Sequence, residues 1–137
     1  MWWTYALLSA LFAALTAIFA KVGIKGVNTD LATAIRTVVI LVIAWTIAFF
    51  RGGTATISAL SKQNLIFLVL SGVATGLSWV FYFKALQLGK VSQVAPVDKL
   101  SVALAIVLSV LFLGEALTWK TAIGAGLIIA GTLVLIL

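Results

Sequence analysis

The stretch VSQVAPVDKLSVALAIVLSVLFLGEALTW, residues Val91–Trp119, decides the fold. It is apolar over a membrane-crossing length, yet it holds Pro96, Asp98 and Lys99 and runs into Leu113-Gly114-Glu115. An ionisable side chain costs roughly 3 kcal/mol at the centre of a spanning helix, so a carboxylate beside an ammonium within such a segment marks a site.

The sequence on either side is of the same kind. Hydrophobic residues make up 64% of the 137 residues and charged residues only 9%, against about a quarter in soluble domains. With a mean hydropathy of +1.31, a water-soluble fold is excluded. Five apolar stretches follow one another, from about Trp2 to Val22, Leu31 to Phe50, Asn64 to Leu86, Val94 to Leu113 and Lys120 to Leu137. Each is close to the ~20 residues that cross ~30 Å of hydrocarbon as a helix. The expected fold is an all-α integral membrane protein, a bundle of five transmembrane helices forming one domain over residues 1–137.

The opening Met1-Trp2-Trp3-Thr4 has no basic region ahead of its apolar run, so the first stretch is expected to stay as a helix rather than be cleaved. The connections Gly23 to Asp30, Arg51 to Lys62, Gln87 to Gln93 and Gly114 to Trp119 are short, which makes successive helices antiparallel neighbours. Trp2, Trp3, Tyr5, Trp45 and Trp119 lie near helix ends and read as interfacial anchors.

Charge and composition narrow the function. Nine Lys/Arg face three Asp/Glu, a net charge of +6. In a membrane protein such an excess belongs to loops beside anionic lipid, not to a nucleic-acid surface. The chain has no Cys and no His. Disulfides, thiol chemistry, the commonest metal ligands and the usual general base are therefore missing, and no enzyme, cofactor or metal site is expected. No phosphate-binding loop suggests ATP-driven work.

An odd number of spans puts the termini on opposite faces. Arg51, Lys62 and Lys120 then share the N-terminal face, and Lys21, Lys25, Arg36, Lys84, Lys90 and Lys99 the other. Lys21, Arg36, Lys84 and Lys99 lie inside helix ends, and without them the loop bias is almost neutral, which leaves orientation weakly specified.

Within the spans, Pro96 suits the first turn of a helix with Asp98 as a cap and Lys99 snorkelling. The alternative is a partly extended Val91–Val97 segment that projects Asp98 and Lys99 into a cavity with Ser101 beside them. Trp79 and Tyr82 are three residues apart and Trp79 and Phe83 four, so one helix face carries all three rings. The Trp79 indole lies deeper than an anchor and needs a partner. Arg36 and Lys99 are the cations hardest to explain by snorkelling, and they favour an anionic or zwitterionic ligand. The candidate substrate-binding residues are Arg36, Trp79, Tyr82, Asp98, Lys99 and Ser101. Asp98 is the one embedded carboxylate and hence the candidate proton carrier. Asp30 is expected to cap the second helix, and Glu115 to serve its loop through an ion pair with Lys120.

Lys21, Arg36, the run Phe81-Tyr82-Phe83-Lys84-Ala85-Leu86, Leu113-Gly114-Glu115, and Gly124 with Ala130-Gly131 together resemble one EamA repeat of the drug/metabolite transporter superfamily, over nearly the whole chain. The last helix also resembles that of the small multidrug resistance family, although the acidic residue of that family's first helix has no counterpart between Trp2 and Ala20. The resemblance implies a secondary transporter, an exporter of a small metabolite or drug-like molecule in a prokaryotic cell (inner) membrane. Typical members carry two inverted repeats around a substrate cavity, and this chain has one. An antiparallel, dual-topology homodimer would rebuild the ten-helix arrangement and allow alternating access. Small residues let helices associate closely in lipid, so Gly124, Gly126, Ala130 and Gly131 are the expected dimer interface, while Gly72 and Gly76 are expected to pack helices within one chain. Two other readings stay open, a flippase for a lipid-linked substrate and a non-transporting accessory subunit of a larger membrane complex.

Overall fold

In the computed structural model, residues Met1–Leu137 are all described, and the chain is helical with no strand. The helices are α1 (Trp2–Gly23), α2 (Thr29–Phe50), α3 (Lys62–Leu88), α4 (Val91–Asp98), α5 (Leu100–Leu113) and α6 (Trp119–Ile136), with a 3₁₀ helix over Gly53–Ala59. Taken together, α4 and α5 form one apolar span of 23 residues, so five candidate membrane spans result, as the sequence implies. In these spans most large apolar side chains are exposed, as lipid-facing surfaces require.

Local chemistry sets the helix ends. Asn28, not Asp30, caps α2: its Oδ1 accepts from the backbone N–H groups of Asp30 and Leu31, at 2.9 and 3.0 Å. Asp30 sits in the first turn, where a carboxylate favours the positive end of the helix dipole. Thr118 caps α6 by accepting from the Thr121 N–H. Gly26, Gly52 and Gly114 adopt positive φ, and Gly114 ends α5 in the left-handed conformation that other residues resist.

The fourth span departs most from expectation. Val91–Val97 is helical rather than extended, because α4 begins at Val91 straight after Lys90. Pro96 is thus not in a first turn but near the end of α4, and Asp98 is that helix's last residue rather than a cap. Without an N–H, Pro96 cannot bond the carbonyl four residues earlier, that of Ser92. The Lys99 N–H contacts both Ala95 and Pro96 carbonyls, at 3.3 and 3.1 Å, and the helix resumes at Leu100.

The chain divides into two compact units, one of Met1–Phe19 with Leu88–Leu137 and one of Ala20–Gln87. In the first, α6 packs against α4 and α5, and Ala103 and Thr132 are buried. In the second, the buried residues are Ala20, Ile24, Thr29, Thr33, Phe83 and Leu86. They gather where the end of α1, the start of α2 and the end of α3 meet. Gly72 and Gly76 do not pack helices within the chain, since a Cβ at either would have no atom within 4 Å.

Candidate functional site

Three of the six expected binding residues, Arg36, Trp79 and Tyr82, belong to the Ala20–Gln87 unit. Two helix C-termini there serve each other. The ends of α1 and α3 carry carbonyls with no intrahelical partner. From α1, the Lys21 ammonium donates to the Leu86 carbonyl of α3. From α3, the Gln87 amide Nε2 donates to Ile24 and Val27 carbonyls just beyond α1, at 3.2 and 2.9 Å. Lys21 is therefore tied to a neighbouring helix end instead of snorkelling to headgroups. Gln87 escapes a reading that looks for charge; its signal is a lone amide closing an apolar helix.

Arg36 projects from α2 beside this junction. Its guanidinium carbon lies 4.2 Å from the centroid of the Phe83 ring, close enough for a cation–π contact of roughly 0.5–2 kcal/mol. Phe83 is almost wholly buried and so cannot swing away. Tyr82 meets Phe83 edge to face, with centroids 5.5 Å apart. Trp79 is half-buried and shares no ring contact with either, so the stripe of three rings reduces to a pair.

One donor of the guanidinium is unsatisfied. The Arg36 Nε is buried with no acceptor, and a buried donor left unmade costs roughly 1–3 kcal/mol. No carboxylate of the chain compensates, because the one ion pair of the structure joins Asp98 to Lys99. The Thr33 and Thr37 hydroxyls donate to the carbonyls four residues back, Thr29 and Thr33 respectively, and neither accepts from the Nε.

Asp98, Lys99 and Ser101 belong to the other unit. The Lys99 ammonium lies 3.2 Å from the Asp98 carboxylate, and the two side chains are 57% and 31% exposed. Adjacent opposite charges that pair reduce the cost of placing either at membrane depth. Ser101 is exposed on the first turn of α5. A buried partner stabilises this break: the Thr132 hydroxyl of α6 lies 3.2 Å from the Pro96 carbonyl oxygen. Glu115 makes no ion pair with Lys120. An open groove of about 350 Å³ lined by Leu60, Asn64, Phe67 and Leu68 collects none of the expected binding residues.

On α6, Gly126, Ala130 and Gly131 are exposed and Gly124 is half-buried. A Cβ at Gly124, Gly126 or Gly131 would meet no atom within 4 Å. The small-residue edge is thus unused by its own chain.

Comparison with known proteins agrees with this architecture. The EamA-like transporter family matches residues 1–137. A protein of a Sinorhizobium species named "Uncharacterized transporter in cobO 3'region" is 50% identical over 134 residues, covering 98% of this chain and 95% of the relative. The "Uncharacterized protein MJ1333.1" of Methanocaldococcus jannaschii is 35% identical over 74 residues, 54% of each chain. No solved structure matches significantly. With five membrane-length helices and a family match from end to end, this multi-pass membrane protein belongs to the EamA-like transporter family and is a membrane transporter.

Proposed function

We propose that this chain, acting as one transmembrane domain over residues 1–137, exports a small metabolite or drug-like molecule by alternating access as an antiparallel homodimer. Two copies in opposite orientations supply the inverted repeats that such transport uses. Arg36, Trp79 and Tyr82, and separately Asp98, Lys99 and Ser101, serve an anionic or zwitterionic substrate. The cycle needs no enzymatic step. A prokaryotic inner membrane is the setting that the Sinorhizobium relative favours.

The observation that carries this reading is the edge of α6. Gly124, Gly126 and Gly131 leave open space where a second backbone can approach, and close approach at small residues is what drives helix association in lipid. The near-neutral loop charge supports insertion in both orientations.

The chain has no native cysteine, which makes orientation directly measurable. Gly23→Cys, at the end of the first span, and Ser58→Cys, beyond the second, are labelled separately in intact cells with an impermeant maleimide. Labelling of about half the molecules at each site is expected for dual insertion. Labelling at one site alone fixes the orientation and removes the antiparallel dimer.

The closed Asp98–Lys99 pair favours a second reading, an accessory subunit whose embedded charges neutralise one another. Transport that survives the double change Asp98→Asn with Lys99→Gln would support it.

A further inference from the structure

We propose that the Arg36 guanidinium, backed by the Phe83 ring and with its Nε unpaired, is the recognition group for a carboxylate on the transported molecule, with Phe83 fixing the orientation of that carboxylate. This deepens the transport reading above and rests on it.

Three features lead to that ligand class. First, the guanidinium carbon lies 4.2 Å from the Phe83 centroid, so the ring occupies one side of the group and the N–H groups turned away from it are what remain for a ligand. A carboxylate is planar and accepts two parallel N–H bonds from such a fork. Secondly, the Nε is buried without an acceptor. Buried donors are nearly always paired in folded proteins, and an unpaired one calls for a missing partner. Thirdly, the charge is not neutralised from within the chain: the ion pair of the structure joins Asp98 to Lys99 and no acidic residue pairs with Arg36, so an anionic group on a ligand is what balances it.

Phe83 is almost wholly buried and touches Tyr82 edge to face. Its ring is therefore a fixed shelf, which limits the directions in which the guanidinium 4.2 Å from its centroid can present its fork. A lysine at position 36 would offer a point charge with no such plane.

The chain contains two arginines, Arg36 and Arg51. In full-length Arg51→Lys protein, purified in detergent, Arg36 is the single guanidinium open to phenylglyoxal, and peptide mass mapping reports its modification apart from that of the N-terminal amine. Benzoate is expected to slow that modification several-fold, whereas its neutral isostere benzamide leaves the rate unchanged. Phe83→Leu in the same background is expected to weaken benzoate protection about tenfold, with Phe83→Trp retaining it, a factor equivalent to ~1.4 kcal/mol. Equal rates with benzoate and benzamide overturn the proposal, and stronger protection by inorganic phosphate than by benzoate overturns the carboxylate assignment. The Arg51→Lys result decides without any change at Phe83. It is also independent of the cysteine labelling, so failure here leaves the dual-orientation transporter standing.

Discussion

The Thr132 hydroxyl of α6 lies 3.2 Å from the Pro96 carbonyl oxygen while also lying 2.8 Å from the Ile128 carbonyl oxygen of its own helix. A hydroxyl carries one proton, so the two acceptors share it. Thr132→Val keeps the shape and removes that proton. The expected loss is ~1 kcal/mol, seen as a lower melting temperature by circular dichroism in detergent, with Thr132→Ser close to the parent. Equal melting of the Val and Ser variants would show that the hydroxyl holds nothing.

At Gln87 the amide N–H groups face two carbonyls, those of Ile24 and Val27. Gln87→Ala should cost about 1–3 kcal/mol by leaving those acceptors unmet. Gln87→Glu should cost more, because a carboxylate has no proton to donate and sets negative oxygen against both carbonyls. The order parent, Ala, Glu in melting temperature is the expected outcome. A Glu variant more stable than Ala would contradict the assigned bonds.

Pro96 interrupts the hydrogen-bond ladder at the Ser92 carbonyl. Pro96→Ala supplies the missing N–H, and a proline in a helix interior costs ~3 kcal/mol relative to alanine. Amide hydrogen exchange around residues 96–102 should slow in the variant. Unchanged exchange would mean that the break at Lys99 owes nothing to the proline.

Orientation should respond to small changes in loop charge. Adding two lysines to the second loop, Thr56→Lys with Ser58→Lys, makes the N-terminal face more basic and draws it to the cytoplasm. A Gly23→Cys reporter in that background then lies outside and should be labelled in nearly all molecules. Labelling that stays at its original fraction would show that features other than loop charge fix the orientation.

The five spans were legible because hydrocarbon imposes a length and a composition that few other constraints imitate. Their details depended on contacts that a linear reading does not contain. Asn28, Thr29 and Asp30 are three adjacent residues suited to helix starts, and only backbone geometry selects Asn28 as the cap. Pro96 suits either a helix opener or an extended segment on sequence alone, yet α4 starts five residues earlier at Val91. Arg36 stands out in the sequence by its charge within an apolar span and by its place in the family resemblance. That Phe83, rather than Trp79, would lie under it follows from how α2 meets α3, which neither segment encodes by itself. Gln87 carries only a faint signal in the sequence because its role exists only once the end of α1 lies beside it.

The open space around the α6 glycines makes them sensors of their surroundings. Within its own chain, a methyl group added at Gly126 or Gly131 touches nothing, and replacing a mid-helix glycine by alanine favours the helix by roughly 0.5–1 kcal/mol. An alanine scan along this edge should therefore strengthen the isolated subunit. Any activity lost in a variant that melts higher is then a fingerprint of the second molecule, written in the residues of the first.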